Sequence, residues 1–287
     1  MAKPKTVNSK LAGVQELLRD KRVAVIGAGK IGSILLQALL RKGLKPEHAR
    51  GSVAHSDTAA SRSKSLGIAV GTDNRQAARG ADIILICVKP PSVGAVLEEI
   101  APEVTKKQLV ISVAASVPTS YMQSRLAAGV PVVRAMPNTP CMVGSGMTGI
   151  CKGASADQSH LDIARVLFET VGRTVFVDEK HMDAVTGLSA SGPAFIYIIL
   201  ESLAEAGVKV GLPRDIATLM AAQTTLGASQ VVLETGDHPA LLKDAVTTPA
   251  GCTIDGILEL EEGKLRVTLI KAVVKAAERA KQLMFAE

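Results

Sequence analysis

Val23-Ala24-Val25-Ile26 runs directly into Gly27-Ala28-Gly29-Lys30-Ile31-Gly32, and a helical pattern over Ile31–Lys42 follows without a break. Four consecutive apolar residues, three of them β-branched, predict a strand buried on both faces. The spaced glycines then supply a tight turn, a close approach of backbone to a pyrophosphate, and close packing of helix on strand. Free N–H groups and the helix dipole at that N-terminus favour the anion. Apolar residues at 31, 34, 35, 38 and 39 give the helix one apolar stripe, which Gly43 closes. Strand, glycine turn and helix in this order predict a Rossmann-type α/β domain that holds a dinucleotide.

Outward from this unit the same texture repeats. Short apolar runs at Arg22–Ile26, Ser52–Ala54, Ile83–Val88, Leu109–Val113, Val130–Arg134 and Thr174–Val177 read as strands. Ser92–Ala101, Ser120–Ala128 and Gln158–Val171 read as crossover helices. Strands alternating with helices make a parallel sheet. Beyond Asp178 only helices are expected, over His181–Leu188, Pro193–Val210, Pro213–Gly236, Pro239–Val246, Gly251–Glu262 and Lys264–Phe285, with Pro193 and Pro213 in first turns. The expected organisation is a basic tail over 1–20, a Rossmann dinucleotide-binding domain over 21–179, and an all-α substrate and dimerisation domain over 180–287. The tail could hold a short amphipathic helix around Val14–Leu18. Ala194–Leu200 is hydrophobic nearly all round, so it packs either in an internal core or against a second subunit.

Composition bounds the function. At 287 residues the chain is long enough for about two domains, and 47% apolar with 21% charged residues is ordinary for a globular protein. The net charge is +6 and the pI about 9.2. With no Trp, two Tyr and four Phe there is little for bases to stack on, so small anionic ligands are expected rather than nucleic acid. The apolar run Ala194–Leu200 is far shorter than the roughly 18–20 residues of a membrane span, so no membrane is expected. Met1–Arg22 has no apolar core or cleavage site of a secretory signal. Cys87, Cys141, Cys151 and Cys252 show no close pairing, which predicts free thiols in a reducing, cytoplasmic setting. The five histidines lack ligand spacing, so no metal is expected.

The end of the second strand chooses the cofactor. His55-Ser56-Asp57, followed by Arg62 and Lys64, offers hydroxyl and basic groups that suit a ribose 2′-phosphate, with Asp57 an awkward neighbour. NADPH is therefore expected to be preferred, with NADH possible. Val88-Lys89-Pro90, Ser112–Ser116 and Met136–Pro140 close later strands and so reach the same crevice. The small residues Ala114, Ala115 and Ser116 leave room for a nicotinamide ring. In the helical half, Ser189-Ala190-Ser191-Gly192-Pro193 and Thr247-Thr248-Pro249-Ala250-Gly251-Cys252-Thr253 read as two helix openings. Both have the form of ordinary N-caps, and both could bind a small carboxylate.

Asp183–Ala194 resembles the DAVTGLSGSGPA motif of pyrroline-5-carboxylate reductases, and Leu242–Asp244 with Val246–Ile254 resembles the same family's LKD-x-V-(S/T)-S-P-G-G-x-T-I signature. Gly27–Gly32, Val88–Pro90, Ser112–Ala115 and Met136–Pro140 follow in family order, so the resemblance spans about residues 22–285. It implies NAD(P)H-dependent reduction of the cyclic imine 1-pyrroline-5-carboxylate to proline, the last step of proline synthesis, by a homodimer that assembles further into decamers. It implies cofactor contacts at Gly27, Ala28, Gly29, Lys30, Ile31, Ser56, Asn74, Val88, Lys89, Pro90, Ala114 and Ala115. Substrate contacts are implied at Thr248, Gly251, Cys252 and Thr253, with Thr253 the catalytic residue beside the ring nitrogen. Ala190, Ala250 and Thr248 depart from the motifs' glycine, glycine and serine, and Ala245 stands where some relatives have Asn. The competing readings are another NADP-linked reductase of the β-hydroxyacid dehydrogenase type and a non-catalytic dinucleotide sensor.

Overall fold

In the computed structural model, which describes Val14 and residues 16–283, the chain divides into two compact units. One holds the residues up to Ala190 together with those from Ala276 onward, and the other is Ser191–Lys275.

The first unit is an eight-stranded sheet in the order β3-β2-β1-β4-β5-β6-β7-β8. Its strands are β1 (Val23–Ile26), β2 (Ala49–Ser52), β3 (Ala69–Gly71), β4 (Ile83–Ile86), β5 (Leu109–Ser112), β6 (Val132–Met136), β7 (Gly146–Lys152) and β8 (Gly172–Phe176). All neighbours run parallel except β6 and β7. Successive side chains of a strand point to opposite faces, and the core is split accordingly. Val23, Val25, Ile83, Leu85, Leu109 and Ile111 pack on one side with α1 (Lys30–Arg41). Ala24, Ile26, Ile84, Ile86, Val110 and Val132 pack on the other. There they meet α3 (Asn74–Ala78) and α4 (Val93–Ile100). Helices α2 (Ser56–Leu66), α5 (Thr119–Gln123) and α6 (Gln158–Phe168) complete the wrapping.

Several sequence expectations shift. The second strand lies at Ala49–Ser52, not Ser52–Ala54, because its register is set by pairing with Val23–Ile26. The Ser52 carbonyl then turns to accept the Gly27 and Ala28 amides, at 3.0 and 2.8 Å. β3 and β7 carry no strand signal in sequence. β3 is a three-residue edge, and in β7 Gly149 stands where a Cβ would lie 2.7 Å from Val185. Helices α2 and α3 were not anticipated, and α5 is shorter than the stretch Ser120–Ala128. Val14 and Leu18 are helical and buried among Val23, Leu36 and Leu39, so this part of the expected tail belongs to the core. Residues 1–13, and the end of the last helix at Phe285, lie outside the described residues.

Asp178 leads through a 3₁₀ turn into α7 (Met182–Val185), and a π-helical turn, Thr186–Ala190, follows at once. The second unit begins with α8 (Gly192–Lys209) and α9 (Arg214–Thr235), joined by a short turn. They approach closely where a Cβ on Gly207 would stand 2.8 Å from that of Ala217, and Ala204, Ala217 and Ala221 are buried between them. Pro213 caps α9 rather than opening its first turn. α10 (Pro239–Ala245), α11 (Cys252–Glu262) and α12 (Leu265–Leu283) follow.

Little of this second unit's apolar surface is internal. Ile196, Tyr197, Ile198, Leu219, Met220 and Leu226 are all exposed in the single protomer. That decides against an internal core as the sole home of Ala194–Leu200. The segments Glu179–Lys209 and Arg214–Thr235 are also long and apolar enough to cross a membrane by length and composition. The unbroken seven-residue run understates them, since alanines and glycines between the larger residues keep the average apolar.

Candidate functional site

One candidate site is the turn from β1 to α1. Gly27 has φ +92°, and a Cβ there would lie 2.8 Å from Val88 Cγ1 and 2.9 Å from the Cys87 carbonyl carbon, so glycine is required twice over. A Cβ on Gly32 would strike the Gly27 carbonyl oxygen and stand 3.0 Å from Val25 Cγ1, which is how helix and strand come into contact. Gly29 differs: a Cβ there would meet nothing within 4 Å. It caps α1 with no side chain over the helix end, and the first backbone bond of the helix runs from the Ser33 amide to the Gly29 carbonyl at 3.0 Å. The amides of Lys30 and Ile31 thus have no hydrogen-bond partner among the described residues, beside the space left open at Gly29. Donor set and clearance fit a pyrophosphate group.

The other expected cofactor residues gather along the same edge, at the carboxyl ends of parallel strands. Val88, Lys89 and Pro90 follow β4, Ala114 and Ala115 follow β5, Ser56 opens α2 after β2, and Asn74 opens α3 after β3. Asn74 is already engaged: Ser52 Oγ donates to its Oδ1 at 2.7 Å, and its Nδ2 donates to Glu99 at 2.7 Å. Ser56 and Arg62 do not converge. Six residues apart on α2, they differ by roughly 240° about the axis and roughly 9 Å along it. The loop after β5 carries Ser116, which the sequence offers only as one of the small residues at the crevice. Ser116 has φ +64°, is buried, and its Oγ has no partner among the described residues. No sequence signal marks its backbone, because serine seldom takes that conformation.

Desolvation pushes the thiols of Cys87 and Cys151 up to about 12, so neither supplies a thiolate at neutral pH. Among the described residues no three His, Cys, Asp or Glu side chains are grouped to hold a metal.

A second candidate site lies in the helical unit. Of the two expected helix openings, only one is an opening. Ser189–Pro193 continues the π-helical turn into α8, with Ser191 itself in helical conformation and no side chain capping the junction. The segment Thr248–Thr253 is a true helix start. The Gly251 amide donates to the Thr248 carbonyl at 3.0 Å around Pro249 and Ala250, and α11 begins at Cys252 with Gly251 as its cap. Thr248 Oγ1 occupies the position a Cβ on Gly251 would need. The amides of Cys252 and Thr253 precede the bond from Ile254 to Gly251, and the Thr253 hydroxyl has no hydrogen-bond partner among the described residues. These donors converge on an exposed helix start, where a carboxylate is favoured.

Ala250 is strained. Proline at the second place and a positive φ at the third make a type II pattern that normally takes glycine, yet here alanine sits at φ +58°. Ala250→Gly is expected to raise stability by about 1 kcal/mol, the left-handed penalty less the added freedom of the unfolded chain. Urea unfolding of the two proteins measures it, and an unchanged or lower midpoint would count against strain at this turn.

A glycine-turn crevice for a dinucleotide, followed in sequence by a helical unit with an anion-accepting helix start, defines a class: two-domain dinucleotide-linked oxidoreductases. Within that class the comparisons agree. Residues 179–283 match the family model "Pyrroline-5-carboxylate reductase dimerisation", and residues 22–116 match "NADP oxidoreductase coenzyme F420-dependent". The chain is 43% identical to the pyrroline-5-carboxylate reductase of Methanosarcina acetivorans over 93% of its length and 99% of that protein. It is 40% identical to the enzyme of Glycine max over 90% and 94%. The solved pyrroline-5-carboxylate reductase of Coxiella burnetii superposes with a TM-score of 0.85 at 35% identity, covering 92% of this chain and 98% of that one. The Plasmodium falciparum enzyme, solved with NADP bound, gives 0.84 at 29% identity over 93% and 99%. The chain belongs to the pyrroline-5-carboxylate reductase family.

Proposed function

We propose that this protein reduces 1-pyrroline-5-carboxylate to L-proline with NADPH, the last step of proline biosynthesis. The observation that carries the reading is family membership along nearly the whole chain, with both the glycine turn and the Thr248–Thr253 helix start intact. When bound at the β1–α1 turn, the nicotinamide cofactor would supply a hydride to the imine carbon. The chain's own part is to hold and orient. Lys30 and Ile31 amides would hold the pyrophosphate, and Val88–Pro90 with Ala114 and Ala115 would border the ring. Thr248, Gly251 and the Cys252 and Thr253 amides hold the substrate carboxylate. The imine carbon gains the hydride, the carbon–nitrogen double bond becomes single, and the nitrogen takes one proton from the solvent side. A threonine hydroxyl is a poor acid, so Thr253 orients the nitrogen or relays that proton. Turnover requires this loop to meet the nicotinamide, from the same chain or a partner. NADPH oxidation with pyrroline-5-carboxylate, repeated with NADH, tests the reading. Reduction of NADP+ by a β-hydroxy acid, with no turnover of the imine, would favour the dehydrogenase alternative, and cofactor binding without turnover would favour the sensor.

NADPH preference rests on the basic end of β2. Ser56→Ala is expected to raise the KM for NADPH by roughly tenfold, one lost hydrogen bond to a charged group, with little change for NADH. Arg62→Ala, on another face of α2, tests whether its long side chain reaches back. Equal losses with both cofactors would remove the 2′-phosphate assignment.

The dimerisation match over 179–283 supports an oligomer through the exposed apolar faces of α8 and α9, and we extend this to dimers assembled further into decamers in the cytoplasm. Burial between subunits would account for the apolarity that the membrane criterion also detects. Sedimentation at micromolar concentration without detergent is expected to give dimers or larger species. A folded, active monomer would remove the assignment.

A further inference from the structure

Asn138 stands just past the end of β6, on the edge of the sheet where the cofactor residues gather. Its Oδ1 accepts from the Met147 amide at 2.9 Å. Its Nδ2 donates to the Ser189 carbonyl at 3.1 Å and to the Ser189 hydroxyl oxygen at 3.3 Å. The partners fix the orientation of the amide, since an N–H can only donate and a carbonyl can only accept. Ser189 belongs to the π-helical turn Thr186–Ala190. Such a turn breaks the regular carbonyl pairing of a helix and occurs mostly at functional places. Asn138 meets the carbonyl from outside the helix. A second tie lies upstream on the same strand. Arg134 of β6 is 4% exposed and faces Glu179 and Asp183, each at 3.7 Å, while Glu179 accepts from the amide and hydroxyl of Thr119 at 2.7 and 2.6 Å. β6 and its exit therefore bracket the segment 179–190 at both ends. The Ser189 hydroxyl accepts from Asn138, and its own proton has no acceptor among the described residues.

We propose that Asn138 is a positioning residue of the reduction. It fixes the π-helical turn at the cofactor edge of the sheet and points the Ser189 hydroxyl proton at the molecule bound there. The inference rests on the reductase reading above. Asn138→Asp keeps the size and the acceptor for Met147 but turns an oxygen on the Ser189 carbonyl. Its kcat is expected to fall ten- to a hundredfold, as for a small misplacement of reacting groups, with KM for the imine within about threefold. NADPH affinity, read by fluorescence titration, should be unchanged, because the phosphates are held at the β1–α1 turn. Ser189→Ala retains the carbonyl link and should lower kcat about three- to tenfold, one weak hydrogen bond. A lower melting temperature with kcat within about twofold of wild type in both variants would make Asn138 a brace alone and overturn the inference. Absence of wild-type turnover removes the reductase reading and this inference together, whereas an active wild type with unaffected variants removes only the inference.

Discussion

Thr253→Val is expected to lower kcat by roughly ten- to a thousandfold, the range of one hydrogen bond lost in the transition state. NADPH affinity and melting temperature should stay where they are. The structure sharpens this beyond the sequence, which left open a helix-cap role for the hydroxyl. Gly251, not Thr253, is the cap residue of α11, and no side chain closes that end. Valine and threonine have nearly equal helix propensity, so the substitution removes one exposed hydroxyl and little else. Steady-state kinetics, fluorescence titration of NADPH and a thermal melt on the one variant suffice. A destabilised enzyme with full turnover would return Thr253 to a structural role.

Gly29→Ala is expected to weaken NADPH binding far more than it weakens the fold. The added Cβ would meet no described protein atom within 4 Å and the φ of −75° is one alanine adopts, although the ψ of −147° lies beyond alanine's usual β range and costs some stability. The methyl instead enters the open space beside the Lys30 and Ile31 amides. Crowding of this kind costs about 1–3 kcal/mol, a loss of roughly ten- to a hundredfold in affinity. Gly32→Ala makes the contrast. Its Cβ would meet the Gly27 carbonyl oxygen and Val25, so it should lower the melting temperature as well as affinity. If Gly29→Ala binds NADPH as tightly as wild type, the pyrophosphate does not lie at this turn.

The parts of the fold that local patterning controls were legible in the sequence. β1, β4 and β5 are short runs rich in β-branched residues and buried on both faces, and such runs have few alternatives in water. The glycine turn, the stripe of α1, the stop at Gly236 and the helix start at Pro239 act over a few residues, so sequence alone placed them. The start of α11 was legible for the same reason. Sequence motifs also determined the family and pointed to Thr253.

What only the tertiary structure decided depends on neighbours distant in the chain. The register of β2 follows from its pairing with β1, and β7 is a strand because β6 and β8 supply its hydrogen bonds. Its glycines, which weaken a strand signal, are demanded by close neighbours such as Val185. Ser189–Pro193 has the composition of a helix start, yet Asn138, 51 positions away from Ser189, holds a π turn there. The left-handed backbone of Ala250 and Ser116 contradicts residue preference and persists only because the surrounding structure outweighs it. Sequence fixes what a few adjacent residues prefer on their own, and long-range packing decides wherever that preference is weak or is overruled by a better-satisfied whole.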